Sequence, residues 1–183
     1  MIRLFVIGDK LEKEFTEKLC RVLERFGGVF VLHDNAPVIS NAKEEFLLYD
    51  CEKLQKIDTE KGILIFKTKQ KNIQTDKISI STSIVSIVER ENKKALQMLK
   101  NNMIPTLICG MSIADTLTLS SIEDNSAVID LQREIYDLDK QIIEPCEIKI
   151  NYDIPFTDYE LLVVSGILLL SGKIKSGKYS III

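Results

Sequence analysis

His33-Asp34-Asn35 places the only histidine of the chain beside a carboxylate, directly after the apolar run 29–32. An imidazole next to a carboxylate can move protons, and α/β sheets hold their ligands outside the C-terminal ends of parallel strands. A polar exit from strand to loop accounts for the same three residues. Gly8-Asp9-Lys10 stands at the end of the first apolar run, residues 2–7. A cleft joining Lys10 to His33 would build a small-molecule or catalytic site from Gly8, Asp9, Lys10, His33, Asp34 and Gly110. Cys109, just before Gly110, is a nucleophile if the fold brings it to His33, and a small buried hydrophobe otherwise. Ser112 and Asp115 follow, either as ligand contacts at the same edge or as a cap and a turn residue. No catalytic residue stands out.

Other chemistry-bearing stretches are weaker. Residues 172–178 meet most of a phosphate-loop spacing but follow a helical pattern, and Tyr179 stands where Ser or Thr is needed; a solvated basic turn fits better. Glu134, Asp137 and Asp139 lack the glycine and terminal glutamate of a calcium loop, which leaves a hairpin turn. The hydroxyls of Ser79, Ser81, Thr82 and Ser83, and of Thr116, Thr118, Ser120 and Ser121, suit strands or their exposed faces. No metal site or cofactor is implied.

The elements that must position these residues read as follows. Residues 2–7 form a buried strand, 11–26 an amphipathic helix stopped by Gly27-Gly28, and 29–32 a second strand. That order favours a parallel pair joined by a crossover helix. Residues 34–40 read as a loop, 41–56 as a moderately amphipathic helix, 63–66 as a third strand and 67–77 as a loose polar excursion. Strand 84–88, helix 91–101 and strand 105–109 repeat the crossover. The period then changes: 116–122, 126–132 and 141–150 read as an antiparallel meander. Asp158 is placed to cap a very apolar helix ending near Gly172, and 179–183 is a last strand. The fold class is α/β: a mainly parallel sheet flanked by helices in a Rossmann-like, three-layer arrangement, with a C-terminal antiparallel meander, all in one domain.

A chain of 183 residues buries a sufficient core without staples. Its net charge of -3 and 7% aromatic content, with no tryptophan, give no general pull toward nucleic acid or anionic membrane. The four cysteines form no Cys-x-x-Cys pair, and the N-terminus lacks the shape of a signal peptide, so a reducing cytoplasm is expected. The longest apolar run, 161–170, is about half the ~20 residues a bilayer needs.

The order of elements resembles the central, ATP-binding domain of the Mur ligase and folylpolyglutamate synthetase superfamily. The resemblance rests on Ile104-Pro105-Thr106-Leu107-Ile108-Cys109-Gly110, then Ala114-Asp115-Thr116-Leu117-Thr118-Leu119, the meander, and the helix from Tyr159 to Gly172. It implies that residues 2–26 correspond to the phosphate-loop unit. Where the family carries Gly-Thr-Asn-Gly-Lys-Thr, this chain has Gly8-Asp9-Lys10-Leu11-Glu12-Lys13. Asp9 at the helix entrance repels phosphate, or serves as an N-cap. The family's metal-binding glutamate after the third strand falls in Phe66-Lys67-Thr68-Lys69, and its Asn-x-Asp-Asp in Glu89-Arg90-Glu91-Asn92. The family's metal-binding histidine and its amino-acid-binding domain have no counterpart. The expectation is a degenerate Mur ligase-like domain that has lost its phosphate loop and metal ligands. It would act as a binding or assembly module for a protein partner or as a homo-oligomer, alongside cell-wall ligase machinery. The alternative is a small-molecule-binding protein or small enzyme using the C-terminal edge of the sheet.

Overall fold

Runs of apolar residues too long to alternate become strands buried on both faces, and they set the architecture of the N-terminal part. The computed structural model describes residues 1–9, 11–33, 36–39, 44–53, 56–68, 79–81, 83–174 and 179–183, with backbone alone for 33, 36–39, 44 and 179–180. These residues fall into two compact units, one of 1–88 and 92–106 and one of 89–91 and 107–183.

The first unit contains β1 (Ile2–Ile7), α1 (Lys13–Leu23), β2 (Gly28–His33), β3 (Ala36–Ile39), β4 (Glu44–Cys51), β5 (Lys56–Ile57), β6 (Gly62–Phe66), β7 (Ser79–Ile80), β8 (Ile84–Glu89) and α2 (Lys93–Asn101). Its strand order is β8-β6-β1-β4-β2-β3, all parallel except β3. Leu4, Val6, Phe46, Leu48, Ile63 and Ile65 are fully buried on one face. α1 lies there, since Thr16 reaches Asp50, which shares that face with Phe46 and Leu48. Phe5, Ile7, Leu64 and Phe66 point the other way, into a core shared with Ala95, Met98 and Leu99 of α2 and with Ile57 and Ile80. Asn92 caps α2 by accepting from the Ala95 N–H at 3.1 Å.

Four expectations are corrected here. Residues 44–51 are a strand, not part of a helix: Phe46, Leu47 and Leu48 are consecutive and all buried, and a helix would turn one of them outward. β4 enters between β1 and β2, so those two strands are parallel but not neighbours. Residues 36–39 are not loop but a strand antiparallel to β2, with Pro37 tolerated because β3 lies at the sheet edge. Leu11 stays exposed, since α1 begins only at Lys13.

The second unit contains β9 (Thr106–Gly110), β10 (Leu117–Glu123), β11 (Ser126–Leu131), β12 (Ile135–Tyr136), β13 (Ile142–Ile143), β14 (Cys146–Asn151), α3 (Asp158–Leu170) and β15 (Tyr179–Ile182). The order is β15-β14-β11-β10-β9, antiparallel at β10–β11 and β11–β14 and parallel at β9–β10 and β14–β15. The hairpin β12–β13 turns where Asp137 Oδ1 accepts from the N–H groups of Asp139 and Gln141, both at 2.8 Å. Thr157, not Asp158, caps α3: it forms a reciprocal capping box with Glu160, and Asp158 is the first helical residue. The helix is buried along residues 159–170 and ends with Gly172 at φ +66, where Gly172 N–H meets Leu169 O and Lys173 N–H meets Leu168 O. No helix among the described residues is long and apolar enough to cross a membrane.

Candidate functional site

At the C-terminal edge of the first unit's sheet, three parallel strands stop side by side. Gly8 N–H donates to Cys51 O at 3.2 Å and Lys67 N–H to Ile7 O at 2.8 Å, which pins the ends of β1, β4 and β6 together. The Lys67 side chain is fully buried. Its Nζ lies 2.8 Å from Asp50 Oδ1 and 3.0 Å from Oδ2, and 3.4 Å from the Asp9 carbonyl oxygen. Thr16 of α1 donates its hydroxyl to Asp50 Oδ2 at 2.6 Å. An ammonium has three donors, so the two Asp50 contacts and Asp9 O match its capacity. A charge removed from water is tolerable only when paired and hydrogen-bonded in this way.

Gly8 is required by this arrangement. A Cβ there would overlap the Cβ, Cγ and Cδ of Lys67, which lie directly on the glycine backbone. Asp9 is exposed, and its carboxylate accepts from Leu11 N–H at 2.9 Å while its carbonyl accepts from Glu12 N–H at 3.0 Å. It therefore shapes the loop and leaves the N-cap position of α1 to Glu12, which makes no side-chain cap. A phosphate-holding loop aims N–H groups inward; here the Asp9 carbonyl aims at a lysine. Lys10 and Asp34 lie outside the described residues. The backbone of His33 ends β2, paired with Ala36.

The expected residues of the second unit do converge, in a closed knot. The Asp115 carboxylate is fully buried; one oxygen pairs with Arg90 Nε and the other accepts from Ser112 N–H at 2.9 Å. Gly110 is glycine because a Cβ would strike Asp115 Oδ2. Arg133 Nη2 fastens the segment from outside, donating to the carbonyls of Ala114 at 2.9 Å and Asp115 at 3.2 Å. Both Asp115 carboxylate oxygens are engaged within the chain, and the contacts hold a turn. Cys109 is wholly buried, and burial first, then Asp115 and Glu89, push its thiol up. It packs as a small buried hydrophobe. Cys20 is likewise pushed up to about 12, by burial and then by Glu24, Asp50 and Glu17. No group of three or more metal-ligating side chains occurs among the described residues. The phosphate-loop-like stretch 172–178 lies partly outside them.

Asp50, Thr16 and Lys67 were not singled out by sequence. The available signal was Lys67 following the wholly apolar Gly62–Phe66, at the position where the resemblance puts a metal-binding glutamate. Thr16, a hydroxyl on the buried face of α1, was a second.

Three solved structures show what this arrangement is built on. The chain matches UDP-N-acetylmuramoyl-L-alanyl-D-glutamate–2,6-diaminopimelate ligase with TM-score 0.54 at 8% identity, over 96% of this chain and 44% of that one. It matches MurF from Acinetobacter baumannii with TM-score 0.54 at 8% identity, over 93% and 42%. The fold is Mur ligase-like. A third match is UDP-N-acetylmuramate:L-alanyl-gamma-D-glutamyl-meso-diaminopimelate ligase from Neisseria meningitides, with TM-score 0.52 at 11% identity over 90% and 60%. The chain thus spans less than two thirds of each Mur ligase it resembles. No family model and no curated protein sequence matches it.

Proposed function

We infer that this chain is a Mur ligase-like domain that does not hydrolyse ATP and acts as a binding or assembly module, on its own copies or on a protein partner. The observation that carries this reading is the buried Lys67–Asp50 pair seated on Gly8. A nucleotide phosphate approaching the β1–α1 turn would meet a space filled by the chain's own ammonium and an exposed Asp9 carboxylate. It would also meet a helix entrance carrying Glu12 and Glu14, which already answer the positive end of α1. Lys67 supplies locally the positive charge that a bound cation supplies at a nucleotide site, and it does so without leaving an open coordination position. The link to cell-wall ligases comes from the names of the structural neighbours and extends to this chain as part of the proposal. One domain type hosts many activities, so the site and not the fold decides.

Thermal unfolding with and without millimolar Mg-ATP tests this. Ligand at ~100 times its dissociation constant adds about 2.7 kcal/mol, and a chain of this size gains about 2–4 °C per kcal/mol. The expected shift is nil. A rise of several degrees would overturn the reading and return the domain to the nucleotide-binding enzymes.

A further inference from the structure

Among the described residues, the face of the first unit's sheet opposite α1 is only partly roofed. α2 covers Leu64, Phe66 and Ile84, and Ile57 and Ile80 of the β5–β7 ribbon close part of the remainder. Because residues 44–51 form a strand and not a helix, nothing from that stretch crosses this face. What remains is a cleft of about 570 Å³ over β1 and β4, bordered by Arg3, Phe5, Tyr49, Ile57, Thr59 and Glu60. That volume is within the range of small-molecule sites.

Its lining is specific. Phe5 and Tyr49 are opposite each other on neighbouring strands, and their rings stack with centroids 5.2 Å apart at an interplanar angle of 7°. Stacked on each other, they form the aromatic side of a cleft whose remaining lining is mostly polar. Arg3, two residues before Phe5 and so on the same face, is half-buried. It donates one hydrogen bond, Nη1 to Thr59 Oγ1 at 2.8 Å. That partner is neutral, and no carboxylate among the described residues pairs with the guanidinium. A guanidinium has five donors in a planar fork that fits a carboxylate. Thr59 in turn donates to Lys61 O at 3.3 Å, which orients its oxygen toward Arg3. Lys56 and Asp58 at the rim satisfy one another at 3.0 Å, and Glu60 is exposed and screened by solvent.

We propose that this cleft binds a small aromatic carboxylate, its acid group on Arg3 and its ring against the Phe5–Tyr49 wall. This site is separate from the Lys67–Asp50 pair, which belongs to the opposite face of the sheet. Binding here is independent of whether the domain retains nucleotide affinity.

The test is a titration of the full chain, followed by amide chemical shifts, with two probes that share a ring and differ in charge: 3-phenylpropanoate and phenethylamine. Shifts at Arg3, Tyr49, Ile57 and Thr59 that saturate in the millimolar range with the acid, and at least tenfold weaker binding of the amine, are the expected result. Arg3→Gln abolishes that preference. Thr59→Val, a near-isosteric change that frees Arg3 from its anchor, weakens the acid several-fold and keeps Arg3 out of the argument should its own variant fold poorly. Equal binding of the two probes, acid binding unchanged in both variants, or no saturable shift at these residues up to the solubility limit overturns the proposal.

Discussion

The Lys67–Asp50 pair of the first unit and the Arg90–Asp115 pair of the second use the same device with opposite polarity. Each sets a charged side chain directly over a glycine at a strand end, Lys67 over Gly8 and Asp115 over Gly110. In the first pair the cation is sealed and its carboxylate is 11% exposed; in the second the carboxylate is sealed and its arginine is 34% exposed. An ammonium holds water tightly and a guanidinium weakly, so sealing the lysine is the costlier arrangement and depends more completely on its partner. The comparison separates a filled cavity from a fastened turn. On the proposed reading the lysine occupies room where a ligand would sit, whereas the Asp115 knot ties a loop.

Removing the cation from each pair should expose that difference most strongly. Lys67→Met leaves Asp50 half of its partners and no charge to answer it, at a cost of about 3–5 kcal/mol, or roughly 6–20 °C in Tm. Arg90→Gln leaves the sealed Asp115 carboxylate its Ser112 N–H and puts a side-chain amide in place of the guanidinium, so it should cost only about 1–3 kcal/mol. Denaturant melts of both variants check the ranking, and equal losses would erase the distinction drawn here. In the Lys67→Met, Asp50→Asn double variant the loss should fall short of the sum of the two singles, since neither partner is then buried unpaired.

Adding a methyl group beneath each charge sharpens the same contrast at smaller scale. Gly8→Ala forces the whole Lys67 stem to shift, and Gly110→Ala displaces a carboxylate oxygen and crowds Arg90. Overpacking of this kind costs about 1–3 kcal/mol, with the larger loss anticipated at Gly8, because three side-chain carbons there must move together.

The smallest effect concerns a carboxylate with no cation at all. Asp130 is paired in register with Glu147, and its Oδ1 is buried without a hydrogen-bond partner. Burial first, then Glu147, raise its pKa, while a hydrogen bond from Ser120 lowers it in part. A carboxyl whose pKa is raised by folding holds its proton more tightly in the native state. Its contribution is fully present below the unfolded pKa and is lost as pH rises through the folded one. Asp130→Asn should therefore raise Tm slightly at pH 7 and change nothing near pH 3, as calorimetry at the two pH values would show.

Much of this was legible in the residues. Largely apolar runs, interrupted by Arg3 in β1 and Ser86 in β8, gave β1, β6 and β8, and the amphipathic spacing of Phe15, Leu19, Val22 and Leu23 gave α1. β4 was not legible. Its polar ends, Glu44-Glu45 and Asp50, mimic the polar flanks of a helix, and only its place between β1 and β2 makes it a strand. Gly110, Ser112 and Asp115 do lie together, but the sequence could not say that Arg90 would pair with Asp115 or that Arg133 would bind the carbonyls of Ala114 and Asp115. Lys67 looked like the first residue of a polar loop, because nothing local announces a partner 17 residues upstream.

The position of β4 also has a kinetic consequence. β1 receives none of its strand partners from nearby chain: Ile2 meets Phe46 and Leu4 meets Ile63. Each pairing closes a long loop before any hydrogen bond repays it, and parallel registers assembled this way are slow to form. A chain emerging from the ribosome holds β1 and β2 apart, with bare edges facing the gap, until β4 slots between them. During that interval β1, buried along Leu4–Ile7 in the finished fold, is open to pairing with other chains, so dilution and low temperature should favour refolding yield over speed.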